Sequence, residues 1–161
     1  MQKTNVLRIL DKAKIPYTTV EYEVDESDLS GVHIAEITKM NPESVFKTLV
    51  AKGDKSGFLV FCIPCESEVD LKKAAKATGN KKVEFLHLKD LLPTTGYIRG
   101  GCSPIGMKKK FPTFIHTSAL SFEKISVSGG VRGLQVILSP NELADFTDAK
   151  FFDLTGDKNE Q

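Results

Sequence analysis

Two glycine-rich runs, one lysine and a pair of cysteines are the parts of this 161-residue chain whose types and spacing could do chemistry. The first run is Gly96-Tyr97-Ile98-Arg99-Gly100-Gly101-Cys102-Ser103-Pro104-Ile105-Gly106. Its glycines let backbone N–H groups come close to an anion and tolerate positive φ, and Pro104 stiffens it. Such a loop can hold a phosphate or the oxyanion of a carbonyl under attack. Taken alone, a tight connection between sheet edges is the commoner use of the same residues. The second run, Ser128-Gly129-Gly130-Val131-Arg132-Gly133, adds a hydroxyl and a guanidinium that can pair with phosphate. It also reads as a hairpin turn, and a turn can line a site. Lys47 lies in Val45-Phe46-Lys47-Thr48-Leu49-Val50; a lysine among such neighbours snorkels from an edge strand by default, or serves a site. Cys62-Ile63-Pro64-Cys65 follows an apolar strand and precedes a helix, the context of a thioredoxin-type redox pair. The pair has no second pair to complete a zinc site, and Cys62 also fits as a buried strand residue. His33, His87 and His116 are scattered, and no triad spacing stands out.

The elements that must position these residues follow from periodicity. Apolar residues at 6, 7, 9, 10 and 13 predict a helix over Thr4–Lys14, ended by Pro16. Tyr17–Val24 reads as a strand, and Val32–Met40 as a helix with Ser30 as N-cap. Val45–Ala51 and Phe58–Ile63 form a hairpin around Gly53–Gly57. A helix carrying Leu71, Ala74, Ala75 and Thr78 is assigned Ser67 as its cap and Gly79 as its stop. A short strand at Val83–Leu86, a helical turn at His87–Leu92 and a loop from Thr94 to Met107 come next. Strands at Phe114–His116, Ile125–Ser128 and Leu134–Leu138, a helix at Asn141–Phe146 and a strand at Lys150–Leu154 complete the chain. Short strands mixed irregularly with helices argue for α+β with a mixed sheet.

At 17.7 kDa, 40% hydrophobic and 27% charged, the chain has the composition of one globular domain, which excludes a disordered tail protein. The longest apolar run is strand-sized and the N-terminus is amphipathic, so neither a membrane span nor a secretion signal is expected. With three cysteines, no disulfide framework is expected, and the protein is read as soluble and cytoplasmic. The net charge of +1 hides a segregation: Lys72–Lys110 holds ten basic residues against Glu84 and Asp90, while the remainder is acidic. A basic middle segment, with Lys108-Lys109-Lys110 at its end, suggests a polyanion-binding face.

Four segments recur in order in one family: Val45-Phe46-Lys47-Thr48-Leu49; Leu71-Lys72-Lys73-Ala74 with Gly79 to Glu84; Thr95-Gly96-Tyr97 to Gly106; and Val127-Ser128-Gly129-Gly130 to Gly133-Leu134. Over Thr4–Leu154 the chain resembles the bacterial Cys-tRNA(Pro) deacylases of the YbaK/EbsC family, relatives of the prolyl-tRNA synthetase editing domain. The resemblance implies a mixed, barrel-like sheet with surrounding helices, one editing domain over residues 1–155, and a flexible tail at 156–161. It implies a free-standing enzyme that removes cysteine from Cys-tRNA(Pro), and from Cys-tRNA(Cys) as a further candidate. In this scheme the substrate's own thiol attacks the ester carbonyl and leaves as a thiolactone.

The resemblance assigns Lys47, Gly100 and Gly101 to catalysis: Lys47 as the cation, the two glycine N–H groups as the oxyanion cradle. It matches Tyr22, Ser128 and the run from Gly100 to Pro104 to the family's site; with their neighbours, Tyr22, Thr48, Cys102, Ser103, Pro104, Ser128, Gly129 and Gln135 are expected to bind substrate, and by their charge Lys108, Lys109, Lys110 and Arg132 are expected to bind the tRNA. Prolyl-tRNA synthetase is the implied partner, and no cofactor or metal is implied. The chain departs from the family at Gln135, where relatives carry an aspartate, at Leu29 or Ser30, where an aromatic is common, and at Cys102, where an aliphatic residue is usual. Cys102 at such a site invites oxidation. Two other functions compete: a thiol–disulfide oxidoreductase using Cys62 and Cys65, and an inactive tRNA- or synthetase-binding module.

Overall fold

The computed structural model describes residues 3–156, so most of the expected tail, 157–161, lies outside the described residues. Helix α1 (Asn5–Lys12) starts where Thr4 Oγ1 accepts the Leu7 N–H, and the same hydroxyl donates to the Gly129 carbonyl at 2.8 Å. Its buried stripe of Val6, Leu7 and Leu10 packs on a three-stranded antiparallel sheet. That sheet runs β1 (Thr18–Glu21), β7 (Leu134–Leu138), β6 (Ile125–Ser128). Strands β6 and β7 fall on the bounds the alternation predicts, and β1 is shorter than its apolar run.

The second sheet is mixed and ordered β4-β2-β3-β5-β8. The hairpin of β2 (Phe46–Gly53) and β3 (Gly57–Pro64) pairs Val50 with Val60 and closes at Gly53 and Gly57. Strand β5 (Thr113–His116) runs parallel to β3, and β8 (Lys150–Phe152) parallel to β5. Strand β4 (Val83–Phe85) joins β2 only from Ala51 to Gly53. Between the sheets lies one core, with Phe46, Cys62, Ile115, Val127 and Val136. Under helix α3 (Leu71–Thr78) lies another, with Phe61, Ile63, Ala74 and Leu154. A single parallel bridge, Val45 to Ser126, links the two sheets. The larger sheet is thus mixed as expected, and the two sheets pack across a shared core without closing into a barrel.

Two local readings need correction. The cap of α3 is Asp70, not Ser67: its carboxylate accepts the Lys72 and Lys73 N–H groups, which a shorter reach from Ser67 cannot do, while the Ser67 N–H closes a turn onto Pro64. Gly79 ends that helix in the left-handed region as expected. The helical turn after His87 is a full helix, α4 (Leu88–Thr95), carrying Pro93 inside it. Buried Thr95 stabilises its end by donating to the Leu91 carbonyl and accepting the Tyr97 N–H. Helices α2 (Gly31–Thr38), capped by Ser30, and α5 (Pro140–Thr147), capped by Ser139, complete the set.

Candidate active site

Strand β2 is the spine of the site. Because β4 pairs only from Ala51 onward and the bridge to Ser126 stops at Val45, no strand pairs with the edge of β2 around Thr48, and a cavity of about 440 Å³ wraps around it. Alternation sends Lys47 and Leu49 to one face of the strand and Phe46 and Thr48 to the other, and all four line the cavity. The Val50 carbonyl accepts the Leu86 N–H on that side of the strand. By the same alternation Thr48 turns its own N–H and C=O toward the cavity, a donor that side-chain reading of the sequence could not find.

Both glycine runs arrive opposite this edge. Gly100 (φ +86°) and Cys102 bring the first, and Ser128 brings the second. The runs brace each other: Arg132 Nε donates to the Arg99 carbonyl at 2.8 Å, and a Cβ on Gly101 would lie 3.2 Å from the Val131 and Arg132 backbone. Gln135, only 3% exposed, accepts the Ser126 hydroxyl on Oε1 at 2.8 Å. That bond leaves its Nε2 as a donor at the cavity wall. Ser128 Oγ accepts the Gly130 N–H and keeps its own proton to give.

Of the expected site residues, the structure brings together Lys47, Thr48, Gly100, Cys102, Ser128 and Gln135. It places the others elsewhere. The Gly101 N–H is committed to the Ile98 carbonyl at 3.0 Å, so it is not available as an oxyanion donor. Ser103 is fully buried and its hydroxyl accepts the Ile105 N–H, which makes it a loop brace. Gly129 is held by the Leu134 carbonyl and by Thr4, away from the wall. Tyr22 lines a separate shallow concavity with Glu21, Glu23 and His33. Pro104, Lys109 and Lys110 border a third one, Lys110 is paired with Asp148, and the Lys108 ammonium reaches the Pro93 carbonyl. Lys73 and Lys82 of the basic segment also face carboxylates, Asp153 and Glu84. The basic face is therefore partly neutralised within the molecule.

The cavity holds residues the sequence did not single out. Arg99 was in view only as part of the glycine loop, and Phe85, Leu88 and Leu91 only as parts of elements. Lys47 and Arg99 are the only charged side chains on the wall among the described residues, and no histidine or carboxylate lies there. Lys47 is partly exposed, and Glu68, an exposed carboxylate, is 3.8 Å from its ammonium.

Burial disfavours the thiolate at two of the three cysteines. Burial pushes Cys102 up to about 12, and burial pushes Cys62 to about 12 as well, against a hydrogen bond from Thr48. Cys62 faces the core between the sheets, while Cys65 packs with Ala35 and Val45 and points its Sγ at the Pro42 carbonyl. The helix that follows the pair in sequence begins only at Leu71, and the two thiols belong to separate core clusters. The redox-pair reading thus loses its geometric basis. Among the described residues no three histidine, cysteine, aspartate or glutamate side chains gather as metal ligands.

The chain that builds this cavity is similar to known proteins over nearly its whole length. Over 154 residues the chain is 50% identical to an Enterococcus faecalis protein provisionally named Cys-tRNA(Pro)/Cys-tRNA(Cys) deacylase EbsC, covering 96% of this chain and 94% of that one. It is 24% identical over 133 residues to the uncharacterised Bacillus subtilis protein YwhH, covering 81% and 84% of the two chains. Two solved structures share the fold. One, of a candidate trans-editing enzyme for prolyl-tRNA synthetase, has a TM-score of 0.81 at 20% identity and covers 98% of this chain and 100% of that one. The other, the hypothetical protein APE2540, has a TM-score of 0.86 at 18% identity, over 95% and 100%. The family model for the aminoacyl-tRNA editing domain matches residues 31–146, from the first turn of α2 through β2, both glycine runs and into α5, and the chain belongs to that family.

Proposed function

We propose that the protein deacylates Cys-tRNA(Pro), and Cys-tRNA(Cys) where it meets it, with the substrate's thiol as nucleophile. The observation that carries this reading is the cavity wall: cations and hydrogen-bond donors converge on it, no histidine or carboxylate lies on it among the described residues, and burial pushes its Cys102 thiol up. The 50% identity to the Enterococcus protein supports the substrate. The nucleophile then has to come with the ligand. The cysteinyl sulfur bonds to its own ester carbonyl carbon, the bond from that carbon to the ribose oxygen breaks, and the thiol proton passes to the leaving hydroxyl. Cysteine leaves as a four-membered thiolactone, and the tRNA is freed.

The Thr48 N–H and the Gln135 amide are the donors placed to hold the carbonyl oxygen as charge develops, together with the Gly100 turn. Lys47 adds positive charge at the same wall. Ser128 can donate to the ester or accept from the α-amino group. Holding the thiol against the carbonyl supplies much of the acceleration, since oriented intramolecular groups act at high effective molarity. Prolyl-tRNA synthetase, whose pocket cannot strongly reject a side chain of similar volume, is the source of the error and the partner we assign. The cytoplasm, where translation runs, is the compartment; no described helix is long and apolar enough to cross a membrane.

The test compares Cys-tRNA(Pro) with 2-aminobutyryl-tRNA(Pro), in which a methyl replaces the thiol. Release of cysteine and at least about 100-fold slower release of 2-aminobutyrate support the scheme; removing a positioned catalytic group typically costs 10²- to 10⁴-fold. Equal rates on the two would show that water, not the substrate thiol, attacks.

A further inference from the structure

Strand β4 and the start of α4 place an apolar corner at the mouth of the cavity. Phe85 is 44% exposed and Leu88 60% exposed, and both line the cavity. Val83 shares a strand face with Phe85 and is buried in the core under α3; Phe85 lies two residues further along, past the edge of that core. Its ring stacks on no other aromatic ring among the described residues, whereas Phe58 pairs with Phe111 and Phe114 lies between Phe61 and Phe152. Arg99 and Lys47 are on the same cavity, with no acidic side chain on its wall. An apolar shelf beside two cations, open to solvent, matches a strand of bases joined by phosphates: flat apolar rings to stack and anions to pair.

We infer that Phe85 and Leu88 form a stacking platform for the bases at the single-stranded 3′ end of an RNA, with Arg99 on its phosphates. This rests on the proposed deacylation and names the nucleotide subsite of the same site. The platform holds the RNA end so that the aminoacyl ester enters past Gly100, and it reads no sequence, because every base offers a π-face.

The chain contains no tryptophan, so Phe85→Trp installs a single reporter on the platform. Three measurements decide the matter: kcat/KM on Cys-tRNA(Pro), kcat/KM on cysteine ethyl ester, and quenching of the indole emission of Phe85→Trp by the RNA tetramer ACCA. Phe85→Ala should lower the ratio of tRNA to ethyl-ester efficiency by about 5- to 100-fold, the loss of one stacked base. Phe85→Trp should keep the wild-type ratio and be quenched by ACCA but not by inorganic phosphate at equal ionic strength. Because Phe85 is partly exposed, both variants should keep the wild-type far-ultraviolet circular dichroism spectrum. An unchanged ratio in Phe85→Ala, or an indole signal that ignores ACCA, overturns the platform and leaves the corner to a protein partner. If the wild type cleaves neither cysteinyl substrate, the deacylase reading fails, and the ACCA quench alone still decides whether RNA stacks there.

Discussion

Gln135 shows how one side chain can serve the fold and the site together. Its carbonyl oxygen satisfies Ser126, which is 2% exposed and has no access to water. That bond fixes which way the amide turns and leaves its N–H groups for the cavity that Gln135 lines. Gln135→Leu keeps the approximate volume but strips Ser126 of its acceptor. It should cost about 1–3 kcal/mol in urea denaturation, the usual penalty for an orphaned buried hydroxyl, and it should lower kcat as well. Gln135→Glu keeps the acceptor for Ser126 and brings a negative charge to a cationic wall, so the two variants separate the structural part from the chemical one. The thiols make a second case at this scale. Burial holds Cys62 and Cys102 near 12, so at pH 8 the native protein should react with iodoacetamide far more slowly than the same chain in urea. Rapid native labelling of Cys102, read by mass spectrometry, would revive its candidacy as an oxidation-sensitive thiol.

Among the elements, the hairpin of β2 and β3 matters most, because it carries Lys47 and Thr48. Its turn is held by a residue far away in sequence: Asn80 Oδ1 accepts the Lys55 and Ser56 N–H groups, and its Nδ2 donates to Ser56 and Thr78 hydroxyls. A Cβ at Gly53 would run into that amide at 2.2 Å, so the glycine is required for the close approach. Asn80→Ala should destabilise the protein by about 2–4 kcal/mol, since several hydrogen bonds vanish at a buried position, and thermal unfolding would measure it. The strands of this hairpin were legible because β2 and β3 alternate or run apolar between glycines. Asn80 was not, since a turn stabilised from 25 residues away leaves no local pattern. The same reason separates the site residues that were found from those that were not. Lys47, Gly100, Ser128 and Gln135 stand in recognisable runs. The loss of Gly101 as a donor depends on a single hydrogen bond to Ile98, and the contribution of the Thr48 backbone depends on where β4 stops. Tyr22 and Ser103 lie beside the right segments in sequence but face away, which composition and spacing do not record.

Across the whole molecule, the C-terminal segment closes the core under α3. The Asp70 N–H donates to the Leu154 carbonyl, Val69 bridges to Thr155, and His116 Nδ1 accepts the Leu154 N–H at 3.1 Å. Burial lowers the pKa of His116 below its usual 6.5, against the pull of Asp153. The unfolded chain therefore takes up this proton first as the pH falls. Stability from His116 is complete above about 6.5 and is lost as pH falls through the lower folded value. The protonated ring also loses the lone pair that holds Leu154. His116→Gln should cost stability at pH 7.5, and the gap to the wild type should shrink toward pH 5 in parallel urea titrations; a constant gap would show that the ring acts only by packing.

A cavity wall with no imidazole or carboxylate among the described residues carries a consequence for fidelity. If the reactive atom arrives with the cargo, correctly charged proline is inert even when it enters, because a saturated ring cannot close on its own ester. Protection of the proper product is then a matter of reactivity, not of size exclusion. Legitimately charged cysteine has no such immunity, so its safety must be secured before docking, by whichever molecule decides which tRNA is handed over.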